Sequence, residues 1–146
     1  MIMNDNSAAT DTQDRSDATA LAAGTMHIGA VAEQTELSLR TLRHYDEVGL
    51  LRPSARTPGG FRLYTEDDVE RLLLIRRMKP LGFTLDQMGE LLSLIDSLAS
   101  SPDDEAQAQL DEFIVDAQRR REKLAYTLEI ADEFIARLTQ QHGAGR

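Results

Sequence analysis

The 146-residue chain has no cysteine and no tryptophan. Without cysteine there is no disulfide scaffold, no thiolate-ligated zinc or iron–sulfur centre, and no thiol nucleophile. Aromatic residues make up 5% of the chain, against 41% hydrophobic residues overall. That balance predicts helices packed through Leu, Ile, Val and Ala rather than an aromatic-rich β sandwich. No apolar run approaches the roughly 18 residues a membrane span requires. The N-terminus lacks the basic stretch and apolar run of a secretory signal, so a cytoplasmic location away from membranes is expected. Catalytic signatures are missing as well: there is no Gly-rich phosphate loop, no H-E-x-x-H and no nucleophile–base set. The many carboxylates fall on helix surfaces, where solvation accounts for them. His27, His44 and His142 are too scattered for a one-chain metal site. Neither an enzyme nor a resident metal or cofactor is expected.

What is present is charge, unevenly placed. The net charge of −9 argues at first against a nucleic-acid partner. Yet residues 1–25 carry one Arg and four Asp, and residues 81–146 carry six basic and thirteen acidic residues. Residues 26–80 hold eight Arg and one Lys against eight acids, a net of +1. Affinity for phosphates follows local Lys and Arg density rather than the whole-chain sum. The middle segment is where a polyanion would bind.

Residues 1–25 are rich in Asp, Ser, Thr, Asn and Ala without periodicity, and read as a disordered acidic tail. From Met26 the texture changes. Ile28, Val31 and Ala32 have helical spacing, and Ser38 is placed to cap a second helix through Val48, with Leu39, Leu42 and Tyr45 on one stripe. The short connection between the two suits a helix-turn-helix. Gly49 ends the second helix. Pro58-Gly59-Gly60 then makes a turn in a small hairpin with basic residues on both arms. Thr65 and Asp68 resemble a capping box opening a helix to about Lys79, with Val69, Leu72, Leu73, Ile75 and Met78 apolar. Thr84 and Gln87 form another, starting a helix to about Leu98 with Leu85, Met88, Leu91, Leu92 and Ile95 inward. Ser101 is read as the cap and Pro102 as the first position of a last, long helix reaching about Gln140.

That helix has a regular seam. Leu110, Ile114, Ala117, Arg121, Leu124, Leu128, Ala131, Ile135 and Leu138 are spaced alternately by four and three residues, a coiled-coil repeat interrupted only by Arg121. Phe113, Ile130 and Phe134 widen the apolar face. About 35 residues of helix extend roughly 50 Å, more than so small a head can cover. A second copy is the expected partner, against the alternative of a helix folding back on its own head. Arg121 either fixes register or pairs with Glu122 or Glu129.

The second helix carries Arg40, Thr41, Arg43, His44 and Tyr45 beside its cap. A helix of this size fits the major groove, where Arg donates two bonds to guanine. Arg52, Arg56 and Arg62 flank the hairpin turn and suit phosphate contact. The alternative is an interaction module whose head binds protein.

The stretches His27–Leu51 (HIGAVAEQTELSLRTLRHYDEVGLL), Arg52–Ile75 (RPSARTPGGFRLYTEDDVERLLLI) and Leu81–Met88 (LGFTLDQM) resemble the MerR family of bacterial transcription regulators. The resemblance covers about residues 26–98. It implies a mainly α chain: a winged helix-turn-helix head over 26–98, then an antiparallel coiled-coil dimerisation helix over 101–141 and a short tail over 142–146. It further implies a homodimer on double-stranded promoter DNA that distorts the spacer between promoter elements for RNA polymerase, a form of indirect readout. By the same resemblance Ser38, Arg40, Thr41, Arg43, His44 and Tyr45 fall on the recognition helix, and Arg56, Gly60, Arg62 and Tyr64 on the wing. Arg43 is the leading helix contact and Arg62 the leading wing contact. Tyr45 and Tyr64 are also candidates for the core, and Phe61 is expected there. Two positions depart from the family pattern: His44 stands where Tyr is common, and Glu36 where Gly is common. With about six residues following Gln140, no effector domain after the long helix is expected. The signal is left among a ligand near the dimer interface, a partner protein, or none.

Overall fold

The computed structural model describes residues 24–144, so the acidic tail falls outside the described residues except for Gly24 and Thr25. In chain order the elements are β1 (Thr25–His27), α1 (Ile28–Thr35), α2 (Leu39–Glu47), β2 (Ala55–Arg56) and β3 (Arg62–Thr65). They continue with α3 (Glu66–Met78), a 3-10 turn (Lys79–Leu81), α4 (Leu85–Ser100) and α5 (Asp104–Ala144). The chain is mainly helical with one small sheet, as its composition predicts. By its contacts it forms two compact units. The first runs to Pro80 and takes in Thr84–Gly89; the second takes in Leu81–Phe83 and everything from Glu90 on.

In the first unit three helices enclose a core of Val31, Leu42, Tyr45, Leu63, Tyr64, Leu72 and Ile75, each at most 2% exposed. Leu39, expected on the inner stripe of α2, is instead 39% exposed. Leu37, in the turn before α2, is buried in its place. The Thr35 hydroxyl donates to the Val31 carbonyl (2.7 Å) and accepts from the Leu37 amide (3.3 Å), closing the end of α1. The capping box of α3 is present. Thr65 Oγ1 accepts from the Asp68 amide (3.1 Å) and Asp68 Oδ2 from the Thr65 amide (3.0 Å). The same Oδ2 accepts from the amide and hydroxyl of Ser54 (3.2 and 2.6 Å), which ties the loop before β2 to α3. Three donors are satisfied at one buried carboxylate, which leaves it well partnered.

The sheet has one strand more than the hairpin predicted from the turn residues. Its order is β1-β3-β2, all antiparallel, with Met26 opposite Tyr64 and Arg56 opposite Arg62. Three residues ending at His27 are too few to show a period of two, so β1 leaves no pattern to read.

In the second unit Phe83, Leu91, Leu92, Leu94 and Ala106 are buried. The box of Thr84 and Gln87 that opens α4, in the stretch belonging to the first unit, closes as expected, at 3.1 and 2.9 Å. Two α4 positions expected inward, Leu85 and Ile95, are each 37% exposed, and Leu94 is buried instead. The cap of α5 is Asp103 rather than Ser101: its Oδ1 accepts from the Glu105 amide (3.0 Å) and its carbonyl from Gln107 (2.9 Å). The Ser101 amide is still spent on α4, bonded to the Ser97 carbonyl. Arg120 holds Leu81–Phe83 against the middle of α5. Its guanidinium donates to the Leu81 carbonyl (3.1 Å) and lies 4.0 Å from the centre of the Phe83 ring. Arg121, the interruption in the seam, is exposed and pairs with no described residue.

Candidate nucleic-acid interface

Ser38 sets the start of α2. Its Oγ accepts from the Thr41 amide (3.0 Å) while its hydroxyl donates to Thr41 Oγ1 (2.9 Å), leaving the Thr41 proton to point elsewhere. From there the helical period sorts the side chains. Leu42 and Tyr45 turn into the core, while Arg40, Arg43, His44 and Glu47 are exposed along one stripe. This stripe lines a concave surface to which Lys79 and Leu85 also contribute. Lys79 went unnoticed in the sequence because it follows a different helix; tertiary packing alone places it on the same concave surface as Arg43.

The hairpin stands beside this helix. Its turn is closed by Thr57, whose amide donates to the Phe61 carbonyl (2.9 Å) and whose Oγ1 accepts from the Phe61 amide (3.1 Å). Gly60 sits at φ +89°, a conformation costly for side-chain-bearing residues. Phe61 is not core: it is 46% exposed at the tip. Arg56 and Arg62 are paired across β2 and β3, and both donate to Asp46 Oδ2 on α2, at 2.7 and 2.8 Å. Burial of Asp46 by itself raises its pKa, but the hydrogen bonds and charges of Arg62 and Arg56 outweigh it and hold the carboxyl below its usual value. It is fully ionised at neutral pH.

Two residues on these elements do not face outward. Tyr45 (2% exposed) and Tyr64 (0%) are core side chains whose hydroxyls have no hydrogen-bond partner among the described residues. Burial raises the pKa of Tyr64. A surface helix-turn-helix and a hairpin thus present Ser38, Arg40, Thr41, Arg43, His44, Arg56, Gly60 and Arg62. Among the described residues no cluster of His, Asp and Glu has the makings of a metal site, and no helix is long and apolar enough to cross a membrane.

In the second unit, α5 leaves most of its seam uncovered. Ile114, Leu124, Leu128, Ile135 and Leu138 are 47–63% exposed. Ala131 is exposed too, and Leu110 and Ala117 are partly covered. From Arg121 to Ala144 every residue is exposed.

Comparison with known proteins agrees with this geometry. The MerR HTH family regulatory protein profile matches residues 26–95, and the MerR DNA-binding profile matches residues 69–130. The regulator CueR of Yersinia pestis is 37% identical over 114 residues, covering 74% of this chain and 80% of its own. ZntR of Escherichia coli K12 is 45% identical over 67 residues, 46% of this chain and 48% of its own. The chain thus spans only about half the length of several curated relatives it matches. Among solved structures, that of HiNmlR, a MerR family regulator lacking the sensor domain and bound to promoter DNA, superposes with a TM-score of 0.63 at 25% identity, covering 79% of this chain and 88% of that one. These relatives are transcriptional regulators, not enzymes. The chain belongs to the MerR family of transcription regulators and carries its DNA-binding domain.

Proposed function

We propose that the protein is a cytoplasmic homodimer that reads one promoter through two copies of the α2–hairpin face and distorts the spacer between promoter elements so that RNA polymerase can engage both. The observation that carries this is the sharing of one face by two basic elements. Arg40 and Arg43 stand on a helix sized for the major groove, and Arg56 and Arg62 on a hairpin beside it. The two copies are joined through the uncovered seam of α5 as an antiparallel coiled coil. A 3.5-residue repeat left open to solvent over 24 consecutive exposed residues is a surface that a second such helix fits. The acidity elsewhere in the chain does not oppose this reading, because phosphates meet the local charge.

Footprinting on the DNA flanking the gene is the test. Protection across a near-palindrome lying between widely spaced promoter elements is the expected result. Binding that is indifferent to sequence at every salt concentration would overturn the proposal.

A further inference from the structure

The α2–hairpin face carries an acidic group at the junction of helix and hairpin, where a DNA-binding surface has least use for it. Asp46 lies on α2 between His44 and Glu47 of the exposed stripe, its side chain only 10% exposed. A single oxygen of its carboxylate, Oδ2, accepts both from Arg56 Nη2 at 2.7 Å and from Arg62 Nε at 2.8 Å. Arg56 reaches further, its Nη1 lying 3.5 Å from the Gly60 carbonyl at the hairpin tip. One carboxylate therefore links the helix to both hairpin strands and, through Arg56, to the turn. The cluster of two guanidiniums and one carboxylate keeps a net charge of +1. Since only Nε of Arg62 is engaged, both its Nη groups remain available to an incoming anion, and the Arg56 and Arg62 side chains are 46% and 25% exposed.

From this geometry we infer that Asp46 is a positioning residue for phosphate contact: it holds Arg56 and Arg62 as a preset fork at a fixed distance from the recognition helix. The inference rests on the DNA-binding reading above. Its physical basis is ordering. A two-residue β2 is too short to fix the hairpin by itself, and free arginine side chains lose rotamer freedom when they clamp a phosphate. A carboxylate that orders both arginines in the free protein removes much of that loss before DNA arrives. The ionised state of Asp46 at neutral pH agrees with this role.

Charge alone and positioning predict opposite signs, which makes the test sharp. Removing a negative charge from a DNA-facing surface should tighten binding by electrostatics. Positioning predicts instead that Asp46→Asn weakens binding to the operator identified by footprinting about tenfold, with the loss spread evenly over sequences. Asp46→Glu, which keeps the charge, is expected to recover most of it. In the Arg56→Ala/Arg62→Ala background the Asn substitution should produce no further loss, because the carboxylate then has nothing to hold. An Asn variant that binds as tightly as the parent, or tighter, overturns the assignment while leaving the DNA-binding reading intact. A parent protein that does not distinguish its operator from random duplex fails earlier and removes both. The parent also supplies a readout that needs no variant. By NMR, the Arg62 Nε–H should exchange with solvent about tenfold more slowly than that of exposed Arg40; equal rates overturn the assignment even where the Asn variant does not fold.

Discussion

Glu36 ends α1 in the left-handed region, at φ +58°, the only described residue besides glycine with positive φ. Such a conformation costs a side-chain-bearing residue about 1–2 kcal/mol. Its exposed ion pair with Arg76 offsets at most about 1 kcal/mol. Glu36→Gly is therefore expected to raise stability by about 0.5–1 kcal/mol in chemical denaturation; a lower midpoint would show that the ion pair outweighs the backbone. Tyr64 poses the converse case, a residue that family resemblance places on the wing and packing places in the core. Since its buried hydroxyl has no partner among the described residues, Tyr64→Phe should leave stability unchanged or raise it by up to about 1 kcal/mol. DNA affinity should not move. Weakened binding at unchanged stability would return Tyr64 to the interface. For Asp46 the sign of the pH effect follows from the lowered pKa. Its contribution is present above the usual value near 3.8 and is lost as pH falls through the folded value. The thermal midpoint of the parent should thus fall more steeply below about pH 4 than that of Asp46→Asn, and the two slopes should coincide above pH 5.

At the scale of elements, α5 is the feature to disrupt. It runs 41 residues, about 60 Å, and its last 24 described residues are all exposed. Isolated helices of good sequence are marginal in water, and most helical stability comes from packing an apolar face. Replacing Leu124 and Leu128 with Asp puts charge into the centre of the proposed seam, so sedimentation should report monomers and circular dichroism a loss of helix content. Variants that remain dimeric would refute the seam. The periodicity of α5 was legible in the sequence because a repeat kept over about four heptads marks one continuous helical face, whichever surface covers it. The start of the helix was not, since Ser101, Pro102 and Asp103 are all acceptable near a cap, and the choice fell to which amide α4 had already consumed. Strand β1 was illegible for a related reason: three residues become a strand only because β3 lies alongside.

For the whole molecule, the division of labour between α2 and the hairpin should appear in the salt and sequence dependence of binding. Arg43→Ala is expected to lose discrimination at particular base pairs by about 1–3 kcal/mol. Arg62→Ala should weaken binding to all sequences and reduce the salt slope by about 1. If both variants bind the operator as tightly as the parent, the contacts lie elsewhere.

The sequence by itself determined the succession of helices, the capping boxes at Thr65 and Thr84, the stripe of Arg40, Arg43 and His44 and the seam of α5. Each of these depends on residues within a few positions of one another, where backbone geometry sets the spacing. Tertiary structure alone decided that Tyr45 and Tyr64 turn inward while Phe61 stays out, that Lys79 joins the concave face of α2, and that Asp46 grips two arginines 10 and 16 residues away. The reason is that a helix or strand period fixes which side a residue takes, but not what stands opposite; that is settled only when distant segments pack and compete for the same space.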